Sequence, residues 1–131
     1  MSGEYYDRFL FELHCELAQR IPIPVILHIC GATVDRMDAI ARTGFAAFHF
    51  DSKNSCEEAM ATVAGRCALV GNVNNPVTLF RGTAAHVREE VRRACAAGVN
   101  LIGAECAVPL LTETALLAEI PRATREFGAQ A

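Results

Sequence analysis

No stretch of this chain is apolar for long enough to span a bilayer as a helix, so no transmembrane segment is expected. The N-terminus also lacks the pattern of a secretion signal, because charged and polar residues interrupt it from Glu4 onward. Basic residues are not in excess: 12 Lys and Arg stand against 15 Asp and Glu, for a formal charge of −3. That balance gives no electrostatic case for nucleic acid. Linkers and low-complexity segments are missing too, and a chain of 131 residues has room for one domain and one core, residues 1–131. Disorder is excluded by a hydrophobic content of 52%.

What is present is cysteine. Six of them could suggest disulfides, but most sit inside periodic helix or strand patterns. Without a secretion signal, the expectation is a reducing cytoplasm, free thiols and one metal site.

The chain repeats one unit: an apolar strand, a short loop, an amphipathic helix and a glycine. A leading helix is predicted from about Glu4 to Gln19, with Tyr6, Phe9, Leu10, Leu13 and Leu17 on one side. Pro22 and Pro24 stop it before a first strand, Val25 to Cys30. A helix carrying Val34, Met37, Ile40 and Ala41 ends at Gly44, and the second strand runs from Ala46 to Asp51. Ser55-Cys56-Glu57-Glu58 reads as a capping box opening a helix that Gly65 closes. Cys67 to Val73 is the third strand, followed by an extended loop, Gly71 to Pro76. Thr83 caps the next helix, Gly98 ends it, and Val99 to Cys106 is the fourth strand. The last helix starts near Thr112 and is expected to kink or split at Pro121. Strands alternating with helices in this way mean parallel βαβ units.

Strand alternation sorts the chemistry. Val25, Leu27 and Ile29 share one face, suited to packing under helices, and Ile26, His28 and Cys30 share the other. By the same rule Phe48 and Phe50 take the helix side, leaving Ala47, His49 and Asp51 inward. In the fourth strand Asn100, Ile102, Ala104 and Cys106 form the set assigned inward, with Glu105 pointing away. The polar candidates thus gather at C-terminal strand ends, where parallel α/β folds place their active sites. His28, Cys30 and Cys106 read as three zinc ligands with one position open, the arrangement of a catalytic rather than a structural zinc. His49 is either an orienting group behind a ligand or a satisfied core histidine. Asn72 either lines a substrate crevice or bonds the loop backbone. Cys15, Cys56, Cys67 and Cys95 lack convergent partners and read as packing or surface residues, and His14 and His86 as solvated.

Leu27-His28-Ile29-Cys30-Gly31, Gly71-Asn72-Val73, Gly82-Thr83 and Glu105-Cys106-Ala107-Val108-Pro109 together resemble the C-terminal half of the uroporphyrinogen decarboxylase superfamily. Within it, the chain specifically resembles the methylcobamide:coenzyme M methyltransferase branch, from about Glu4 to Gly128. The resemblance implies a catalytic zinc on His28, Cys30 and Cys106, with Asp51 as the acidic residue that fills the vacant position when substrate is absent. It implies methyl transfer from a methylated corrinoid, carried by a corrinoid protein, to a small thiol such as coenzyme M. Two departures stand out. Many relatives have Gly-Cys-Gly around the distal ligand where this chain has Glu105-Cys106-Ala107, and Thr112 to Leu116 lacks the usual Glu-Asn pair.

The superfamily fold is a (β/α)8 barrel of roughly 250 residues. Four strand–helix units correspond to its second half, so the expected fold class is α/β, parallel βα units forming half of a TIM-type barrel. A homodimer or a complementary N-terminal half is the expected partner, since half a barrel leaves two sheet edges open. Two other functions stay in view: uroporphyrinogen decarboxylation, in which the His-x-Cys pair has no job, and a non-catalytic subunit stabilised by zinc.

Overall fold

The computed structural model describes residues 1–129. Helices α1 (Gly3–Phe9) and α2 (Phe11–Arg20) replace the single leading helix that the periodicity predicts. The break falls at Leu10, whose φ of −120° leaves the helical region. Only part of the expected apolar face is used: Tyr6 is buried and Leu10 packs on the core, while Phe9, Leu13 and Leu17 are exposed. His14, expected in solvent, is half-buried between Tyr6, whose hydroxyl lies 2.8 Å from Nδ1, and the ring of Phe45.

Four βα units follow in chain order: β1 (Ile26–Ile29) with α3 (Val34–Arg42), β2 (Ala47–Phe50) with α4 (Cys56–Val63), β3 (Ala68–Val73) with α5 (Ala84–Ala96), and β4 (Leu101–Ala104) with α6 (Thr114–Gly128). Local chemistry sets the helix ends. Ser55 Oγ accepts the Glu58 N–H at the start of α4, and the Thr83 side chain accepts the His86 N–H at the start of α5. Gly44, at φ 93°, takes the left-handed position that stops α3. The segment after β3 is not wholly extended: Asn75–Leu79 form a π-helical turn, opened by Asn74, whose side chain accepts the Val77 N–H. Helix α6 is not split, and runs as one element through Pro121.

The strands lie in the order β1-β2-β3-β4, every neighbouring pair parallel. This is the architecture of half a (β/α)8 barrel. One face is covered by helices and holds the core, with Phe48, Phe50, Leu69, Val63, Met37 and Ile40 all within 1% of complete burial. Each such side chain contributes roughly 1.5–3 kcal/mol by leaving water. The other face is open. Along it, His28, His49, Val70 and Leu101 form one cross-strand row by register.

That row corrects the alternation expected in the fourth strand. Leu101 and Gly103, not Ile102 and Ala104, face the open side, and Ile102 and Ala104 pack against the helix-side core. Ladder pairing with β3 sets the strand's orientation, which sequence alternation alone leaves free by one residue.

Candidate metal centre

His28 stands on the open face of β1 and Cys30 just beyond its last residue, two positions on and therefore on the same side. Gly31 follows at φ 88°, a left-handed turn that aims its N–H at Asp51 Oδ2, 2.8 Å away. Cys106 arrives differently. Strand β4 ends at Ala104, and the chain bends over Glu105 and Cys106, so alternation no longer governs which way each points. The bend brings Cys106 to the open face and sinks Glu105 into the protein, 5% exposed.

The three donors converge. His28 Nε2 lies 3.1 Å from Cys30 Sγ and 3.4 Å from Cys106 Sγ, and the two sulfurs are 3.1 Å apart. All the ligating atoms fall within 4.8 Å of one another, and among the described residues no further His, Cys, Asp or Glu joins them. The His28 ring is fixed from behind, where Nδ1–H donates to the His49 carbonyl at 3.1 Å and leaves Nε2 bare toward the sulfurs. The Cys106 thiol beside it pushes the Cys30 thiol above its ordinary value, with burial and the Asp51 and Glu105 carboxylates adding to the effect. Two thiols this close resist joint ionisation unless a cation takes up the charge. Two sulfurs and one imidazole nitrogen are the donors that suit a borderline-soft divalent ion such as zinc, so the residues fit the metal.

Other expected residues take supporting places. Asp51 is outside the cluster, with Oδ1 accepting the Lys53 N–H at 2.9 Å and Oδ2 the Gly31 N–H. Burial works against its charge, but those two N–H groups, together with the Glu105 carboxyl and the Lys53 charge, outweigh it and hold the carboxyl below the usual aspartate range. His49 packs its ring on that of His28, centroids 4.4 Å apart, and its Nε2–H donates to the Ala104 carbonyl at 2.7 Å. Asn72 bonds loop backbone: its Nδ2 donates to the Asn54 carbonyl at 3.1 Å, and its Oδ1 accepts from the Cys56 thiol. It faces a polar cavity of about 430 Å³ near the α4 N-terminus and α5, which His28, Cys30 and Cys106 do not line. Cys67 and Cys95 belong to the core, and burial pushes the half-buried Cys56 thiol up to about 11.

The uroporphyrinogen decarboxylase (URO-D) family model matches residues 1–127. The chain belongs to this family. It is 23% identical over 130 residues to a methylcobamide:CoM methyltransferase of Methanosarcina mazei, an alignment covering 97% of this chain and 38% of that protein. A methylated-thiol–coenzyme M methyltransferase of the same organism is 27% identical over 128 residues, covering 96% and 34%. A solved methyltransferase structure from Methanosarcina mazei superposes with a TM-score of 0.93 at 26% identity, covering 97% of this chain and 38% of that one. The chain thus spans about two fifths of the length of relatives it matches, four βα units of a family barrel.

Two residues beside the cluster, Glu105 and Asn75, lie outside the set expected from the sequence. Regular strand alternation turns Glu105 away from Cys106, and Asn75 has no role assigned from the sequence. Only the polar character of Glu105, next to a ligand in an otherwise apolar segment, hinted at its place.

Proposed function

We propose that this chain carries a zinc site on His28, Cys30 and Cys106 and serves the transfer of a methyl group from a methylated corrinoid, on a corrinoid protein, to a small thiol. The observation carrying this reading is the S₂N cluster on the uncovered face at the C-terminal strand ends, with no fourth side-chain donor among the described residues. An open coordination position is the mark of a catalytic zinc. Zinc held there would lower the pKa of an incoming thiol and so supply a nucleophilic sulfur at neutral pH.

The chain's own residues set this up. Cys30 and Cys106 bring two negative charges when ionised, matching a divalent ion, and His28 adds none. His49 keeps the imidazole in the tautomer that leaves Nε2 free. Asp51 holds the turn after Cys30 through Gly31. The open face lets the thiol in and its proton out to solvent. In the transfer itself a sulfur–carbon bond forms and the cobalt–carbon bond breaks, with the electron pair remaining on cobalt.

Decarboxylation of a uroporphyrinogen would leave the S₂N donor set without a task. We read the chain as one partial barrel domain in a reducing cytoplasm. Its open face and the two outer strands, β1 and β4, are completed by a complementary set of βα units or by a second copy of the chain.

The test is elemental analysis of protein purified without added metal, followed by zinc-edge X-ray absorption with and without coenzyme M. Near one zinc per chain is expected, with a third sulfur neighbour once the thiol binds. Zinc retained unchanged by the Cys30→Ser, Cys106→Ser double variant would sink the ligand assignment. A coordination shell indifferent to every thiol, with the complementary units supplied, would sink the alkylation chemistry.

A further inference from the structure

Of the three donors, Cys106 is the one that the sheet itself holds least. It lies beyond the last residue of β4, an outer strand, in a bend that leads into a segment with exposed Leu110 and Leu111. Yet the backbone around it is tied down on every side. The Ala104 carbonyl accepts from His49, reaching across from β2. Glu105 donates its N–H to the Val73 carbonyl at 2.9 Å. Its carboxylate is buried and divided between two loops, Oε2 accepting the Ser52 N–H at 2.9 Å and Oε1 the Asn75 N–H at 2.8 Å. Asn75, 4% exposed, then reaches past the cysteine, its Nδ2 donating to the Ala107 carbonyl at 2.8 Å.

We infer that Glu105, acting with Asn75, is a positioning residue for the Cys106 thiolate: it locks the bend that places this sulfur beside Cys30 and His28. The inference rests on the metal reading above and extends it to a buried side chain outside the three donors. Burying a carboxylate against neutral N–H groups is costly compared with leaving a short side chain at the bend. The return is geometric. Both loops that flank the distal ligand are fixed by one side chain, and metal sites depend on outer partners of this kind for affinity as well as orientation.

Glu105→Gln is the direct variant. It keeps the shape but turns one acceptor into an N–H₂ group facing a backbone N–H. Cobalt(II) titration of the full chain under anaerobic conditions supplies the readout, because sulfur-to-cobalt charge-transfer absorption counts the bound thiolates. The wild-type chain should show two thiolates. In Glu105→Gln the band should fall toward one, with cobalt affinity lower by about 10–100-fold. Thermal unfolding of the metal-free proteins is recorded alongside, since a purely structural role would lower the midpoint and leave the band intact. Asn75→Ala removes only the donor to Ala107 and should weaken the band in the same direction. Wild-type affinity and a two-thiolate band in a folded Glu105→Gln overturn the inference. The same result in Asn75→Ala does so if Glu105→Gln fails to fold. A wild-type chain that never shows two thiolates overturns instead the metal reading on which the inference stands.

Discussion

The two faces of the sheet are built to different rules. On the helix side Phe48, Phe50 and Leu69 are fully buried, whereas on the open side Ile26 and Leu101 remain 53% and 54% exposed. The covered face holds the chain together and has no ionisable side chain from the strands. The open face carries His28, His49 and, past the strand ends, Cys30 and Cys106, the two sulfur donors of the candidate metal site. The candidate donors therefore sit where they contribute least to packing, in an arrangement of ionisable groups that a core would not tolerate.

The sharpest way to break this comparison is to remove packing from the covered face. Phe48→Ala should destabilise the metal-free chain by about 3–5 kcal/mol, measured by urea unfolding, because a buried ring leaves a cavity that the neighbouring strands do not fill. A loss under ~1 kcal/mol would mean that the core lies elsewhere.

Asp51 sits at the rim between the faces and makes a smaller, pH-dependent contribution. Its carboxyl is held below the ordinary value of 3.8, so the stabilisation is fully present above that value and is lost as pH falls through the depressed native one. Urea unfolding at a series of pH values should show this acid limb, and Asp51→Asn should flatten it. An unchanged limb in that variant would assign the acid sensitivity to other carboxylates.

Smallest of all should be Leu101→Ser on the open face, within about 0.5 kcal/mol at low protein concentration. Here a large effect would be the informative result. A loss that grows with protein concentration would show Leu101 covered by a second copy in solution, and sedimentation on the same samples would report the dimer directly.

Much of the fold was legible. Prolines before β1, side-chain caps at Ser55 and Thr83, and a glycine closing α3 are local signals, and each acts in the structure where the chain carries it. The pairing of His28 with Cys30 was equally legible, because two residues apart on a strand means one face. Other features were less so, among them the partial burial of His14 and the continuity of α6 through Pro121. The leading helix breaks at Leu10 without proline or glycine to announce it. The orientation of β4 was read one residue out of phase, since apolar residues occupy both of its faces and only the ladder with β3 distinguishes them. Asn72 offered two readings, and the structure shows its bond to loop backbone.

By itself, the sequence determined the number and order of the βα units, the capped or glycine-closed ends of α3, α4 and α5, and the identity of the metal-ligating candidates. These depend on short-range periodicity, on capping and on residue type, all of which are local properties. Tertiary structure alone decided that Cys106 meets His28 and Cys30, and that Glu105 lies buried behind it. Both follow from the bend after Ala104, where the strand's alternation stops and hydrogen bonds from Ser52 and Asn75, some 53 and 30 residues away along the chain, take over the positioning.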